Sequence, residues 1–214
     1  MRQVYIHGLG QTASSWEPVL HLLGAPESSV CPDLAKLVST EKITYPLLYH
    51  AFARLCDGLE EPLVLCGLSL GGVLALHYTV EHPERVGALV LIAPQYKMPK
   101  RLLQIQNVLF RFMPPAMFRE TGFAKAQFVQ LCGSMMDLDF SRALSRISCP
   151  TLVLCGSRDR ANQRACRELV QRLSKAELRM VAGAGHELNR ETPEKLAPLL
   201  RDFYARTLQG GNHP

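Results

Sequence analysis

No stretch of these 214 residues approaches the roughly 18–20 consecutive apolar residues that a bilayer crossing requires. The N-terminus also lacks a secretory h-region, because Gln3-Val4-Tyr5-Ile6 runs straight into His7-Gly8. A cytoplasmic protein without stable membrane insertion is the expectation. The seven cysteines (31, 56, 66, 132, 149, 155 and 166) are odd in number and scattered, with no C-x-x-C pair. That argues against a disulfide framework or a zinc site. H-E-x-x-H is missing as well, since His186-Glu187 continues as Leu188-Asn189-Arg190. Neither a metal nor a cofactor is expected. The net charge of +5 is mild. Much of it comes from Arg158, Arg160, Arg164, Arg167, Arg172, Lys175 and Arg179, around one predicted helix. Aromatics are absent from that stretch and no nucleic-acid motif accompanies it, so no nucleic-acid partner is expected. The plain reading is a solvated helix face, and the sharper one is a contact for an acidic partner or anionic carrier.

What is present is alternation. Short runs rich in Val, Leu and Ile recur at Gln3–His7, Ser28–Cys31, Leu63–Cys66, Val86–Ile92, Thr151–Cys155 and Glu177–Ala182. Helix-like segments at about 14–23, 45–58, 70–82, 161–174 and 192–208 separate most of them. Near-continuous apolar strands alternating with helices predict a parallel sheet of about six strands with helices on both faces. Ser14-x-x-Glu17 reads as a capping box, and Thr192-Pro193 as an N-cap with proline at the first helical position. With 214 residues the chain suits one α/β domain.

One segment breaks the pattern. Between about 97 and 146, some fifty residues intervene where one helix would suffice. Leu102, Leu103, Ile105, Val108, Leu109 and Phe112 give a helical apolar stripe, Pro114-Pro115 ends it, and a second helix is predicted from Phe118 to about Met136. The segment reads as a helical lid over the carboxyl edge of the sheet, with Leu109 and Phe112 as candidate substrate contacts. Its Lys97, Lys100, Arg101, Arg111, Arg119 and Lys125 leave two readings: a helix pair roofing an apolar pocket, or a basic amphipathic surface resting on an anionic membrane.

The densest signal is Gly67-Leu68-Ser69-Leu70-Gly71, between the apolar run 62–66 and a helix-like stretch. A serine flanked by glycines at a strand-to-helix junction is the pattern of a nucleophile elbow. Such a serine needs a base, and the base an orienting acid. Both appear downstream at strand ends: Asp159 in Gly156-Ser157-Arg158-Asp159, and His186 in Gly183-Ala184-Gly185-His186. Carboxyl ends of parallel strands converge on one rim, where Ser69, Asp159 and His186 can meet. The alternative acid position, Ala93-Pro94-Gln95, holds no carboxylate. His7 reads as a support for the adjoining loop, Trp16 and Cys66 as core, and Asp33 as structural.

The chain resembles the α/β-hydrolase-fold serine hydrolases. The likeness rests on His7-Gly8-Leu9-Gly10 with Trp16, Pro32-Asp33-Leu34, Gly67 to Gly72, Gly156-x-x-Asp159, and Gly185-His186 followed by Glu191-x-Pro193-Glu194. The resemblance implies that the backbone N–H groups of Leu9 and Leu70 form an oxyanion hole, with Leu9 also walling the substrate site. Two features depart from the family's pattern. The His-Gly strand begins at residue 3, without the usual antiparallel hairpin before it, and Pro32-Asp33-Leu34 continues as Ala35-Lys36-Leu37 in place of a glycine-rich turn. The expected activity is hydrolysis of a small to medium acyl ester through an acyl-Ser69 intermediate, with a small-molecule ester as partner. Two alternatives remain at this point: a non-hydrolytic lyase of the same fold acting on an anionic substrate, and a small-molecule receptor retaining a slow triad.

Overall fold

The computed structural model of the chain describes residues 1–25, 29–38, 40–59 and 62–209. Five parallel strands form one sheet: β1 (Arg2–Ile6), β2 (Leu63–Leu68), β3 (Val86–Ile92), β4 (Thr151–Gly156) and β5 (Ala176–Val181), hydrogen-bonded in the order β1-β2-β3-β4-β5. Period-two alternation splits each strand's side chains between two cores. Val4, Ile6, Leu63, Leu65, Leu89, Leu91 and Val153 face helices α2 (Tyr45–Asp57) and α3 (Leu70–Glu81). Tyr5, Val64, Cys66, Val90, Leu152 and Leu154 face the opposite layer of α1 (Glu17–Leu23) and α8 (Pro193–Gln209). Both faces are covered over β2, β3 and β4, which are buried almost throughout and carry a single polar residue, Thr151, whereas the outer β5 is half-exposed and carries Glu177 and Arg179. Trp16 lies fully buried in the second core, its ring 5.3 Å from that of Tyr5.

Three expectations are revised. The sixth strand, anticipated at Ser28–Cys31, is one parallel bridge between Val30 and Val4, with Tyr5 N–H donating to Val30 O and Val30 N–H to Gln3 O (each 2.8 Å). Residue 28 lies outside the described residues. Only Val30 and Cys31 are apolar there, too little to sustain a longer pairing. Ser14 does not open a capping box, because the turn Ala13–Trp16 is 3-10 and α1 begins only at Glu17. Pro193 does take the first position of α8.

The segment after β3 holds α4 (Lys100–Phe112), a 3-10 stretch Pro115–Thr121, and α5 (Lys125–Ser134). Helix α4 turns a different side inward from the one expected. Leu103 packs against the core, as does Phe110, whose ring meets Phe128 of α5 edge-on at 5.0 Å. Leu109 and Phe112 point to solvent, 59% and 83% exposed. The outer side is the longer apolar row, but the inner one follows Leu103, the buried Asn107 and Phe110, where the facing Phe118 and Phe128 supply aromatic partners. The side chains of Arg101, Leu102 and Arg119 lie outside the described set. After α6 (Arg160–Arg172) and β5, the short helix α7 (Leu188–Glu191) leads into α8.

This orientation makes a stability prediction. Phe128→Ala should lower unfolding free energy by roughly 3–5 kcal/mol, whereas Phe112→Ala should stay within about 0.5 kcal/mol of the parent. Urea unfolding of both variants checks it, and equal losses would contradict the assigned faces.

Candidate active site

Strand β2 ends at Leu68 and α3 begins at Leu70, so Ser69 alone makes the turn between them. Its backbone has φ 52° and ψ −112°, a conformation costly for a residue with a side chain. Ser69 N–H is held by Ile92 O of β3 at 2.9 Å, and its own carbonyl accepts the first bond of α3 from Val73 (3.0 Å). The glycines are there for contact. A Cβ on Gly67 would fall inside the backbone of Gly71, and a Cβ on Gly71 inside the carbonyl of Ile6. The N–H of Leu70 belongs to the first turn of α3, where donors have no intrahelical acceptor and the helix end carries partial positive charge.

The loop after β1 is fixed by polar side chains. His7 is fully buried, and its Nε2 lies 3.0 Å from Leu34 N–H, so Nε2 accepts and the proton sits on Nδ1, which donates to Gly8 O at 2.9 Å. Burial holds this imidazole below the usual range, in keeping with the neutral form those two bonds require. Gln11 exchanges amide hydrogen bonds with Asn189 of α7 (3.2 and 3.1 Å), and its Oε1 also accepts from Gly8 N–H and Ser15 Oγ. The loop bearing Leu9 is thereby tied to the helix that follows His186.

Asp159 lies just beyond β4 as the residue preceding α6, and His186 follows β5. Their contact is close: His186 Nδ1 is 2.8 Å from Asp159 Oδ2. Asn162, one helical turn after Asp159, donates to both carboxylate oxygens (2.9 and 2.8 Å) and accepts from Gln95 Nε2 at 2.7 Å. Burial works to raise the Asp159 carboxyl, but hydrogen bonds from His186 and Asn162 outweigh it and leave the group below its ordinary value. The hydrogen bond to Asp159 raises His186 above its ordinary value against the opposing effect of burial. The two shifts agree on one state, an ionised acid beside an imidazole it makes more basic. Glu191 fixes the loop around that imidazole by accepting from Gly185 N–H (2.7 Å) and Glu187 N–H (3.0 Å).

Ser69, Asp159 and His186 line one cavity of about 420 Å³, together with Leu9 and Leu70. All five residues singled out from the sequence for catalysis or the oxyanion hole therefore converge. Leu109 and Phe112 do not belong to this cavity, and its apolar wall comes instead from Met98, Leu103, Phe110, Phe128 and Met135. Gln95 and Asn162 were missed. The signal for Asn162 was its i+3 spacing from Asp159, which sets both on one side of a helix start. Asp33 pairs with Lys36 (3.5 Å) outside the cavity, and Cys66 is core. Among the described residues no three His, Cys, Asp or Glu side chains gather as a metal site would need. A hydroxyl on a strained turn and an imidazole oriented by a carboxylate, lining one cavity, are the parts that nucleophilic acyl transfer uses.

Comparison with known proteins gives a consistent family. RutD of Escherichia coli O81 (strain ED1a), a candidate carbamate hydrolase, is 26% identical over 247 residues, covering 96% of this chain and 91% of that protein. The biotin biosynthesis bifunctional protein BioHC of Cellvibrio japonicus (strain Ueda107) is 25% identical over 238 residues, and the match takes in 94% of this chain but only 47% of that longer protein. Among solved structures, a thermophilic esterase from Thermogutta terrifontis superposes with a TM-score of 0.76 at 19% identity, covering 97% of this chain and 90% of that one. The model of the alpha/beta hydrolase family matches residues 3–199, and with the elbow and strand-end geometry above, the chain belongs to that family.

Proposed function

We propose that this protein is a serine hydrolase that cleaves small to medium carboxylic esters through an acyl-Ser69 intermediate. The observation that carries the reading is the 2.8 Å His186–Asp159 pair opening on the same largely apolar cavity as Ser69. Asp159 holds the Nδ1–H tautomer, which leaves Nε2 to take the Ser69 proton as Oγ attacks the ester carbonyl. Negative charge then develops on the carbonyl oxygen, with the N–H groups of Leu9 and Leu70 as its donors. Each such donor is worth roughly 3–4 kcal/mol in the transition state. The imidazolium, stabilised by the Asp159 carboxylate, returns its proton to the departing alkoxide and the alcohol leaves. Water then enters, His186 removes its proton as it adds to the acyl carbon, and Ser69 is released with the carboxylic acid. The acyl chain lies against Met98, Leu103, Phe110 and Phe128, so the segment 97–146 acts as a roof over the reaction centre.

The described cavity lends the lyase alternative no support. Part of its weight came from basic residues of that segment meeting an anionic substrate, and among the described residues no Lys or Arg lines the cavity. Lys97 pairs with Asp139 (3.0 Å), Lys100 with Asp137 (2.6 Å), and Lys125 Nζ donates to Arg111 O (2.6 Å), all in exposed settings.

Initial rates on p-nitrophenyl esters of two to twelve carbons test the assignment. A chain-length optimum is expected, and Ser69→Ala should remove nearly all turnover, by roughly a million-fold at most, while keeping its circular dichroism spectrum. Intact activity in that variant would refute the acyl-Ser69 route. The pH profile is a separate test. His186 works as a neutral base and its pKa is raised, so kcat/KM should climb with pH through a midpoint above 6.5. In Asp159→Asn that midpoint should move down, and the plateau should fall by about 10³–10⁴-fold. A profile unmoved by this substitution would break the proposed pairing.

A further inference from the structure

Helix α4 is apolar on two sides, and the cavity uses one of them. The outer side carries Ile105, Val108, Leu109 and Phe112, which are 61%, 52%, 59% and 83% exposed. Their spacing is i, i+3, i+4 and i+7, so they form one continuous stripe along the helix. Met117, 60% exposed, lies just beyond its C-terminal end. Nine large hydrophobic side chains are exposed among the described residues, and five of them fall between 105 and 117. Single exposed hydrophobes are ordinary, whereas a contiguous set marks a docking face.

The charge of the segment that carries this stripe narrows its occupant. Segment 97–146 holds eight Lys and Arg against three Asp and Glu, a surplus equal to the +5 of the entire chain. Lys100 and Arg111, at either end of α4, are both exposed, Lys100 in an ion pair with Asp137. A second copy of the chain would bring two surpluses of one sign together, which opposes self-association through this face. An anionic bilayer accepts both features at once. Apolar side chains enter at the acyl boundary while cations stay among phosphates, and each cation near the surface adds to the attraction.

We propose that the outer face of α4 seats this protein on an anionic lipid surface, with Ile105, Val108, Leu109 and Phe112 at the acyl boundary. The inference goes beyond the hydrolase reading and does not depend on it, because docking requires no turnover. Helix α4 is then the wall shared between lipid and cavity, with Leu103 and Phe110 on its other side.

The test is cosedimentation of the full chain with vesicles of phosphatidylcholine alone, or with about a third phosphatidylglycerol. Binding is expected on the mixed vesicles, weakening as salt rises from about 0.05 to about 0.5 M. Phe112→Asp combined with Leu109→Asp should lower partitioning about tenfold or more. Val108→Gln, a milder change on the same stripe, should lower it less. All three side chains are more than half exposed, so the variants should keep the parent's fold and its rate on a soluble short-chain ester. Ser69→Ala should bind vesicles as the parent does, so loss of the esterase reading would leave this result standing. Absence of binding to both vesicle types, equal binding to both, or binding unmoved by the paired substitution would overturn the proposal. So would a dimer in size-exclusion chromatography that the paired substitution splits.

Discussion

The close backbone approach at the end of β2 governs the layout of the whole molecule. Gly67 lies against the backbone of Gly71, and Gly71 against the carbonyl of Ile6 on the neighbouring strand. This fixes α3 above β1 and β2 at a separation that no side chain could permit. Ser69 is forced into its unusual φ by the same contact, and its N–H is pinned to Ile92 of the third strand. One turn therefore sets the helix position, the strand spacing and the direction of the hydroxyl. The cost of the strain at Ser69, of order 1–3 kcal/mol, is offset by the buried layers on each side of the sheet.

Electrostatics at the rim follows from that scaffold. Asp159 is buried, which by itself would favour the neutral acid. Two donors, His186 and Asn162, reverse that preference, and Gln95 in turn accommodates the carbonyl of Asn162. The carboxylate is thus kept charged chiefly by hydrogen bonds, with the charge of His186 a smaller contribution, and its burial leaves it less screened by salt than a surface ion pair. The loop of Leu9 is secured differently, by a neutral buried histidine and a Gln11–Asn189 amide pair. Both ends of the reaction centre consequently rest on uncharged or fully paired groups.

Much of this was legible in the sequence because it is local. The elbow glycines, the strand runs and the two loop motifs each speak through spacing of a few residues, and the strand-end rule then brings Ser69, Asp159 and His186 to one place. What escaped prediction depended on partners distant in sequence. Leu109 and Phe112 lie on the longer apolar side of their helix, and the position of Phe118 and Phe128 turns the other side, with Leu103, Asn107 and Phe110, inward. The sixth strand failed because two apolar residues at Val30-Cys31 can sustain a bridge and no ladder. Gln95 and Asn162 are amides, which carry no motif of their own until their neighbours are known. On the charged helix α6, Arg164 pairs with Glu168 (2.7 Å), and Arg172 stacks over the ring of Tyr96.

The position of β5 carries a further consequence. It is one of the two outer strands of the described sheet, joined to β4 on one side, and its Glu177 is bonded to Arg179 and Arg206. Outer strands open at lower free energy than central ones, well short of global unfolding. His186 hangs from the end of this strand, whereas Ser69 and Asp159 hang from inner strands. Amide hydrogens of β5 should therefore exchange ahead of those in β2 and β3. Local opening at that margin displaces His186 while Ser69 and Asp159, on inner strands, keep their places.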